Sequence, residues 1–332
     1  MKAALILFYL LFLAFPVFSH DEVFTRVCKL MGSRYEISVV ASSEEEGVEY
    51  IDMAVAEIER IEQLISSWRP DSETSKINEA AGNHSVPVSG ELFAFLKRCL
   101  QLSKVTSGAF DISYAAMDRI WKFDGSMIQM PAPEEVSASV KNVGYRNIIL
   151  DEEKQSVFLK KKGMKIGFGA IGKGYSADQA KKLLVNAGVK GGIINASGDL
   201  AVWGEQPDGK PWMAGITNPL NKNKVFSWFP IKNRAVVTSG DYEKFVMLDG
   251  KRYSHIIDPR TGYPTHGLVS VTVFAPMAEL ADALSTALFV MGSDAGIDLV
   301  QQIDGVDCVM VTTEGEILKS GNIQISHDVS EY

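Results

Sequence analysis

The order in which hydrophobic periodicity changes along this chain constrains its fold more than any other feature. Residues 23–41 alternate in two short runs around Met31-Gly32, the pattern of a half-buried hairpin. The period then switches. Val48, Ile51, Val55, Ile58, Ile61, Leu64 and Ile65 recur at helical spacing, so a long amphipathic helix is predicted to end near Ser66. A second helix is predicted over roughly 89–107, stopped by Ser107-Gly108. Residues 124–135 read as a loop, and strands follow around 147–150 and 156–160. Beyond 164 come a strand, a glycine-rich turn, a helix at about 174–187, Gly188 and the strand GGIINA. Strands dominate from 212 to 274, and a strongly apolar helix is predicted at about 278–291. A doubly wound parallel sheet needs repeated βαβ units, whereas hairpins fill the C-terminal half here. The expected class is therefore α+β: mixed or antiparallel sheets with flanking helices, in a single large domain or two subdomains.

The first twenty residues belong to a different category. MKAALILFYLLFLAFPVFSH has one Lys, an unbroken apolar run from Ala3 to Phe15, then Pro16 and small residues. That is the layout of a secretory signal peptide, with cleavage expected after Ser19. The run is shorter than the ~20 residues of a spanning helix. The expected organisation is a signal peptide at 1–19, one domain over 20–325 and a disordered tail at 326–332. The expected location is the periplasm, soluble or peripherally associated with the inner membrane. A net charge of −8 without a Lys/Arg block argues against a nucleic-acid partner. Cys28, Cys99 and Cys308 permit at most one internal disulfide, in three pairings, or three free thiols; their spacing is too wide for a zinc knuckle.

The stretch GFGAIGKG (167–174) satisfies two phosphate-binding patterns at once. As G-x-G-x-x-G it resembles a dinucleotide fingerprint, with MKIGFGA as strand, GYSADQAKKLLV as helix and Asp199 as the downstream acid. No further βαβ run follows it. As G-x-x-x-x-G-K it resembles a Walker A loop, but Gly174 stands where the Mg²⁺-binding Ser or Thr belongs. A plain tight turn is the third reading. In each case close glycines before a helix let backbone amides approach an anion, and Lys173 adds a point charge.

Two further clusters carry chemistry. Asp282 and Thr286 are four residues apart on the apolar helix MAELADALSTALFVMG and so share one face. A carboxylate on such a helix is expensive to bury unless paired or metal-bound, and carboxylate plus hydroxyl is a hard-oxygen set suited to Mg²⁺. The competing reading makes Asp282 a cap or surface ion pair and bonds Thr286 back to its own helix. In YSHIIDPRTGYP, the turn Asp258-Pro259-Arg260-Thr261-Gly262 follows His255, a candidate general base or a structural histidine.

Together these segments resemble the ApbE family of exported bacterial flavin transferases. Eight blocks occur in the family's order: MGSRYEI, ISSWRPDSETSKIN, GAFDIS, GAIGKGYSAD, NASGDLAVWG, VVTSGDYEKF, HIIDPRTGYP and ADALSTALFVMG. The resemblance covers about residues 28–318 and implies an ApbE-like fold. It implies Mg²⁺-dependent transfer of FMN from FAD, as substrate, to a Thr or Ser hydroxyl of a target flavoprotein, releasing AMP. By resemblance, Met31, Trp68, Ala109, Phe110, Asp111, Lys173 and the Ile256 backbone contact FAD, with Trp68 in place of a usual Tyr. The Ala170 carbonyl, Asp282 and Thr286 hold Mg²⁺, and His255 and Lys173 act at the reacting phosphate. The implied acceptor is a subunit of a membrane electron-transfer complex; a homodimer is left open.

Two alternatives stand beside this reading: an FAD pyrophosphatase with the same site, releasing FMN and AMP, and a non-catalytic periplasmic FAD-binding protein, against which the Asp282/Thr286 pair speaks. Two positions depart from the family pattern. Gly167 stands where relatives often carry an acid, and Ser197 where a second Gly is usual.

Overall fold

The N-terminal alternation forms the expected hairpin. Strand β1 (Glu22–Leu30) pairs antiparallel with β2 (Ser33–Ala41), from Glu22 opposite Ala41 to Leu30 opposite Ser33. The turn residues Met31 and Gly32 both have positive φ, 49° and 71°, as a two-residue type I′ turn requires. The computed structural model describes residues 21–217, 225–241, 244–321 and 323. The expected signal peptide and the expected tail lie outside the described residues.

Helix α1 (Glu44–Ile65) follows, opened by Ser43, whose side chain accepts from the Glu46 amide. A short α2 (Glu73–Glu79), β3 (Val86–Pro87) and α3 (Gly90–Val105) come next. The segment predicted as a loop is irregular only to Ala132, because Pro133 starts α4 (Pro133–Ser139), where a missing N–H is harmless. Strands β4 (Ile148–Asp151) and β5 (Ser156–Leu159) lead to α5 (Gly172–Asn186). The C-terminal half supplies β6 (Gly192–Ala196), β7 (Asp199–Trp203), β8 (Trp212–Thr217), β9 (Val225–Ile231), β10 (Ala235–Gly240), β11 (Phe245–Leu248), β12 (Lys251–Ser254) and β13 (Leu268–Ala275). Helices α6 (Ala278–Met291) and α7 (Ser293–Val300) and strands β14 (Asp307–Thr312) and β15 (Ile317–Lys319) complete the chain.

Eight strands form one sheet in the order β1-β2-β6-β7-β10-β13-β14-β15. Every neighbouring pair in it is antiparallel. The α+β expectation holds, as a single large domain. One face of the sheet is covered by α1, α5 and α6 over a core that includes Ile37, Ile58, Ala180, Leu284 and Val271. The other face lies under the β8–β9 hairpin, with Trp212, Phe229, Val236 and Phe274 between them. A further core packs the far side of α5 and α6 against α3 and the small β3-β5-β4 sheet. Helix α6 is thus buried all round, which its uninterrupted apolarity demands.

The residues MKIGFG, read as a strand in the dinucleotide pattern, join no sheet. Asn78 captures them instead: its Nδ2 donates to the Ile166 carbonyl (2.9 Å) and its Oδ1 accepts from the Ile166 amide (2.7 Å). A side-chain amide takes the place of a strand partner. All three cysteines are free thiols, with Cys99 and Cys308 buried. Among the described residues no helix is long and apolar enough to cross a membrane.

Helices α5 and α6 cap each other. Neither N-cap residue, Ile171 or Met277, supplies a side-chain acceptor. Asp178 on α5 instead accepts from the α6 amides of Ala278 (3.0 Å) and Glu279 (2.8 Å), while Asp282 Oδ2 on α6 accepts from the α5 amide of Gly174 (3.0 Å). Helix starts have unpaired N–H groups, and these two are satisfied across the contact. Asp178→Ala is expected to destabilise the fold by about 1–3 kcal/mol. Asp178→Asn, which keeps an acceptor oxygen, should lose less. Thermal melts of the two variants check this; equal melting temperatures for wild type and Asp178→Ala would refute the capping role.

Candidate active site

Three cavities meet at Gly169. The largest, about 420 Å³, is walled by Trp68, Phe110, Tyr114, Phe168 and Ile256, with Arg119 among its few charged groups. A polar lobe of about 360 Å³ is lined by Lys173, Asp199, Ser239, Lys244 and Asp282. The third, about 190 Å³, lies between Met31, Glu62, Trp68 and Lys173. His255, Ile256 and Thr286 border the first two, and Trp68 the first and third. The lobes therefore form one branched cleft.

Each site residue predicted from sequence lines it: Met31, Trp68, Ala109, Phe110, Asp111, Ala170, Lys173, His255, Ile256, Asp282 and Thr286. Their side chains differ in availability. Trp68 is 73% exposed, an aromatic ring held largely uncovered at the rim. The block around it is built by serines. Ser66 Oγ accepts from the amides of Trp68 and Arg69 at the end of α1, and Ser72 opens α2 by accepting from Ser75. Met31 is fixed in its left-handed conformation, its amide donating to Glu62 (3.3 Å) and its sulfur accepting from Tyr35 (3.1 Å). Asp111 is occupied. Its carboxylate accepts from the Ser113 amide and hydroxyl and from the Tyr145 amide.

Lys173 sits between two carboxylates. Its ammonium pairs with Asp199 and lies 3.8 Å from Asp282 Oδ2. Asp199 and Asp282 are both almost fully buried. Burial works against the lysine's charge, but Asp282 and Asp199 outweigh it and raise its pKa. Burial, with Asp282 next to it, pushes the Asp199 carboxyl well above the usual carboxylate range despite Lys173. Two buried carboxylates thus share one lysine, and the proton that Asp199 tends to keep evens the charge. In the sequence, Asp199 stands out only as the downstream acid of the dinucleotide pattern. Its true partner lies 26 residues earlier, a relation no local period encodes.

Asp282 is neither a surface ion pair nor idle. Because it takes the Gly174 amide, the Ala170 carbonyl four residues before Gly174 is left out of the helical ladder. Thr286 Oγ1 lies 3.3 Å from Ser239 Oγ, which also meets Ser285 (2.8 Å). Asp282 and Thr286 line the polar lobe and Ala170 the adjoining one, which Thr286 also borders; carboxylate, hydroxyl and carbonyl are a donor set that fits a hard divalent cation. Among the described residues no three His, Cys, Asp or Glu side chains gather around a metal position, so such a cation would rest on Asp282 and neutral oxygens.

His255 Nδ1 is 3.1 Å from the Lys244 carbonyl. A carbonyl partner requires the hydrogen on Nδ1, so in the neutral ring the lone pair is on Nε2, the arrangement of a proton acceptor. Both departures from the family pattern are placed. A Cβ on Gly167 would meet Ala115 Cβ at 3.0 Å, so an acid there needs Ala115 to shift. Ser197 takes a left-handed φ of 56°, a conformation costing about 1 kcal/mol, and anchors on the Arg34 carbonyl through amide and hydroxyl.

This fold and cleft define a class: the chain belongs to the ApbE family, whose profile it matches over residues 31–310. It is 30% identical over 312 residues to the FAD:protein FMN transferase of Escherichia coli K12, covering 92% of this chain and 89% of the relative. The crystal structure of the ApbE protein of Thermotoga maritima superposes with a TM-score of 0.80 at 32% identity, over 90% of this chain and 97% of that one. The flavinyl transferase ApbE of Pseudomonas stutzeri, in its apo form, gives 0.78 at 28% identity, covering 90% and 94%.

Proposed function

We propose that this chain is an FAD:protein FMN transferase, moving FMN from FAD to a hydroxyl of a target flavoprotein. The observation that carries the reading is the junction of the lobes at Gly169. Two lobes have aromatic walls sized for rings, and one polar lobe holds Lys173, Asp282, Thr286 and His255. FAD is a long molecule with a ring system at each end and a diphosphate between them, and it matches such a branched cleft.

The acceptor's Ser or Thr oxygen bonds to the phosphorus of the FMN half. The P–O bond to the AMP half breaks, and AMP leaves with the bridging oxygen. Lys173 places a fixed positive charge at the diphosphate, and the Gly169 main chain allows close approach. His255 Nε2 takes the hydroxyl proton, because an alcohol is a poor nucleophile while protonated. Ala170, Asp282 and Thr286 would hold Mg²⁺, which offsets diphosphate charge when bound. The N-terminal apolar run supports export, and the acceptor would then be a periplasm-facing subunit of a membrane electron-transfer complex.

Purified protein, FAD, Mg²⁺ and a Thr-bearing flavoprotein acceptor form the test, read by AMP release and in-gel flavin fluorescence. Fluorescent acceptor supports transfer; free FMN with AMP indicates the pyrophosphatase; unchanged FAD throughout sinks both. Trp68→Ala tests the ring contact separately. An exposed side chain contributes little to stability, so the melting temperature should hold. Loss of an aromatic stacking partner, at about 1–2 kcal/mol, should weaken FAD binding roughly tenfold or more. Unchanged affinity by fluorescence titration would remove Trp68 from the flavin site.

A further inference from the structure

The main sheet has a notch at the active site. Strand β10 pairs with β13 along its whole length, from Ala235 to Gly240. Its other neighbour, β7, pairs with it only at Ala235–Ala201 and Val236–Leu200. Beyond Leu200 the β6–β7 hairpin turns back. Gly198 gives its amide to Asn195 Oδ1 (2.8 Å), and Ser197 bonds to Arg34 on the far side. Thr238, Ser239 and Gly240 thus lie beyond the last pairing with β7 and line the polar lobe.

The direction of the backbone groups along this edge follows from their neighbours. Asp241 donates to Val269, so the odd-numbered residues of β10 face β13. The Arg234 carbonyl accepts from Val202, so the even-numbered residues face β7. The N–H and C=O groups of Thr238 and Gly240 therefore point into the notch. Among the described residues none of the four has a backbone partner there. Alternation puts the Ser239 side chain on the helix face, where it meets Ser285 and Thr286.

We propose that an extended segment of the acceptor protein adds to β10 in this notch as an antiparallel strand, with its reactive hydroxyl residue opposite Ser239. The proposal rests on the transferase reading and specifies how that site takes a protein substrate. Residues on either side of the hydroxyl residue would exchange main-chain hydrogen bonds with Thr238 and Gly240. The hydroxyl residue itself occupies the non-hydrogen-bonded position, whose side chain shares the face of Ser239. That face carries Thr286 and Asp282, with Lys173 and His255 on the same lobe. Strand addition fixes both the depth and the facing of the nucleophile, since a one-residue slip would turn the hydroxyl to the opposite face. Affinity comes from the main chain, so different acceptor sequences can use one notch. The atoms balance as in the transfer above: an O–P bond forms to FMN, the P–O bond to AMP breaks, and the proton passes to His255.

A pool of peptides about nine residues long, Thr fixed at the centre and other positions randomised, provides the probe. Each mixture contains the purified protein, FAD and Mg²⁺, and flavin-labelled peptides are identified by fluorescence and mass spectrometry. Labelled sequences are then remade with single N-methylated amides. Methylating either amide flanking the Thr is expected to slow labelling about 100-fold, because a hydrogen bond is lost and a methyl group meets β10. Methylating the Thr amide itself, which faces away from β10, should change the rate by less than about threefold. Equal loss at all three positions, or loss at none, overturns strand addition. AMP and free FMN without any labelled peptide also overturns it, while leaving phosphoryl chemistry at the site in place. No AMP in any mixture sinks the transferase reading, and the notch proposal falls with it.

Discussion

Asp282→Ala is expected to lower Mg²⁺-dependent release of AMP from FAD by about a thousandfold or more. Three losses coincide at this carboxylate. The charged member of the hard-oxygen set disappears, leaving only a carbonyl and a hydroxyl for a cation. The Gly174 amide at the start of α5 loses its acceptor in a buried position, at about 1–3 kcal/mol. Lys173 keeps Asp199 as its single carboxylate partner and so settles toward it. The middle loss alone would lower the melting temperature by several degrees, roughly 2–4 °C per kcal/mol for a chain of this size. Asp282→Asn separates the effects. It keeps an oxygen for Gly174 and removes the charge, so it should melt close to wild type yet be as inactive as Asp282→Ala. Initial rates of AMP release against Mg²⁺ concentration, with melts alongside, make the measurement. An Asn variant with wild-type rate would show that the carboxylate serves the helix cap and no cation.

What the sequence revealed and concealed divides along a physical line. Features set by local period were legible. The β1–β2 hairpin, α1, α3 and the apolar α6 appear within a few residues of their predicted bounds, because burial on one face leaves a mark at period 2 or 3.6. Helix α2 left no such mark. Seven residues opened by Ser72 are too short for a periodic stripe, and only the serine cap announces them. The segment MKIGFG shows the opposite error. Its alternation is that of a strand, yet the partner that arrives is the side chain of Asn78, 88 residues earlier. Periodicity reports that a segment is extended and half-buried; it does not say what pairs with it.

The active site was readable block by block through family resemblance, and much less so from the residues alone. Spacing put Asp282 and Thr286 on one face but left open whether that face met solvent or another helix. Their meeting with Lys173 depends on the α5–α6 crossing, which the chain sets more than a hundred residues apart. The sharing of Lys173 by two carboxylates was invisible for the same reason, since Asp199 arrives from the β6–β7 hairpin. The notch in the sheet was hidden still more deeply. It arises from the length of β7 relative to β10, and hairpin ends are the least certain part of any reading from sequence.

Replacing Gly174 with Ser, the change that completes the Walker pattern in GFGAIGKG, is expected to destabilise the protein by about 3 kcal/mol or more and to abolish transfer. A Cβ at this position would lie 2.2 Å from the Ala278 carbonyl oxygen and 2.9 Å from Asp282 Cβ. The clash is with backbone, so no rotamer relieves it, and α5 and α6 must move apart. Separation breaks the reciprocal caps and carries Lys173 away from Asp282, so stability and activity fall together. Gly169→Ala in the same loop provides the contrast. A Cβ there meets nothing within 4 Å, so the melting temperature should hold, while the methyl group enters the junction of the three lobes and weakens FAD binding. The two glycines thus serve different ends. Gly169 leaves room for a ligand, and Gly174 leaves room for another helix. A Gly174→Ser variant that melts with wild type would refute the tight crossing, and with it the reason this loop has no hydroxyl where a nucleotide-binding loop needs one.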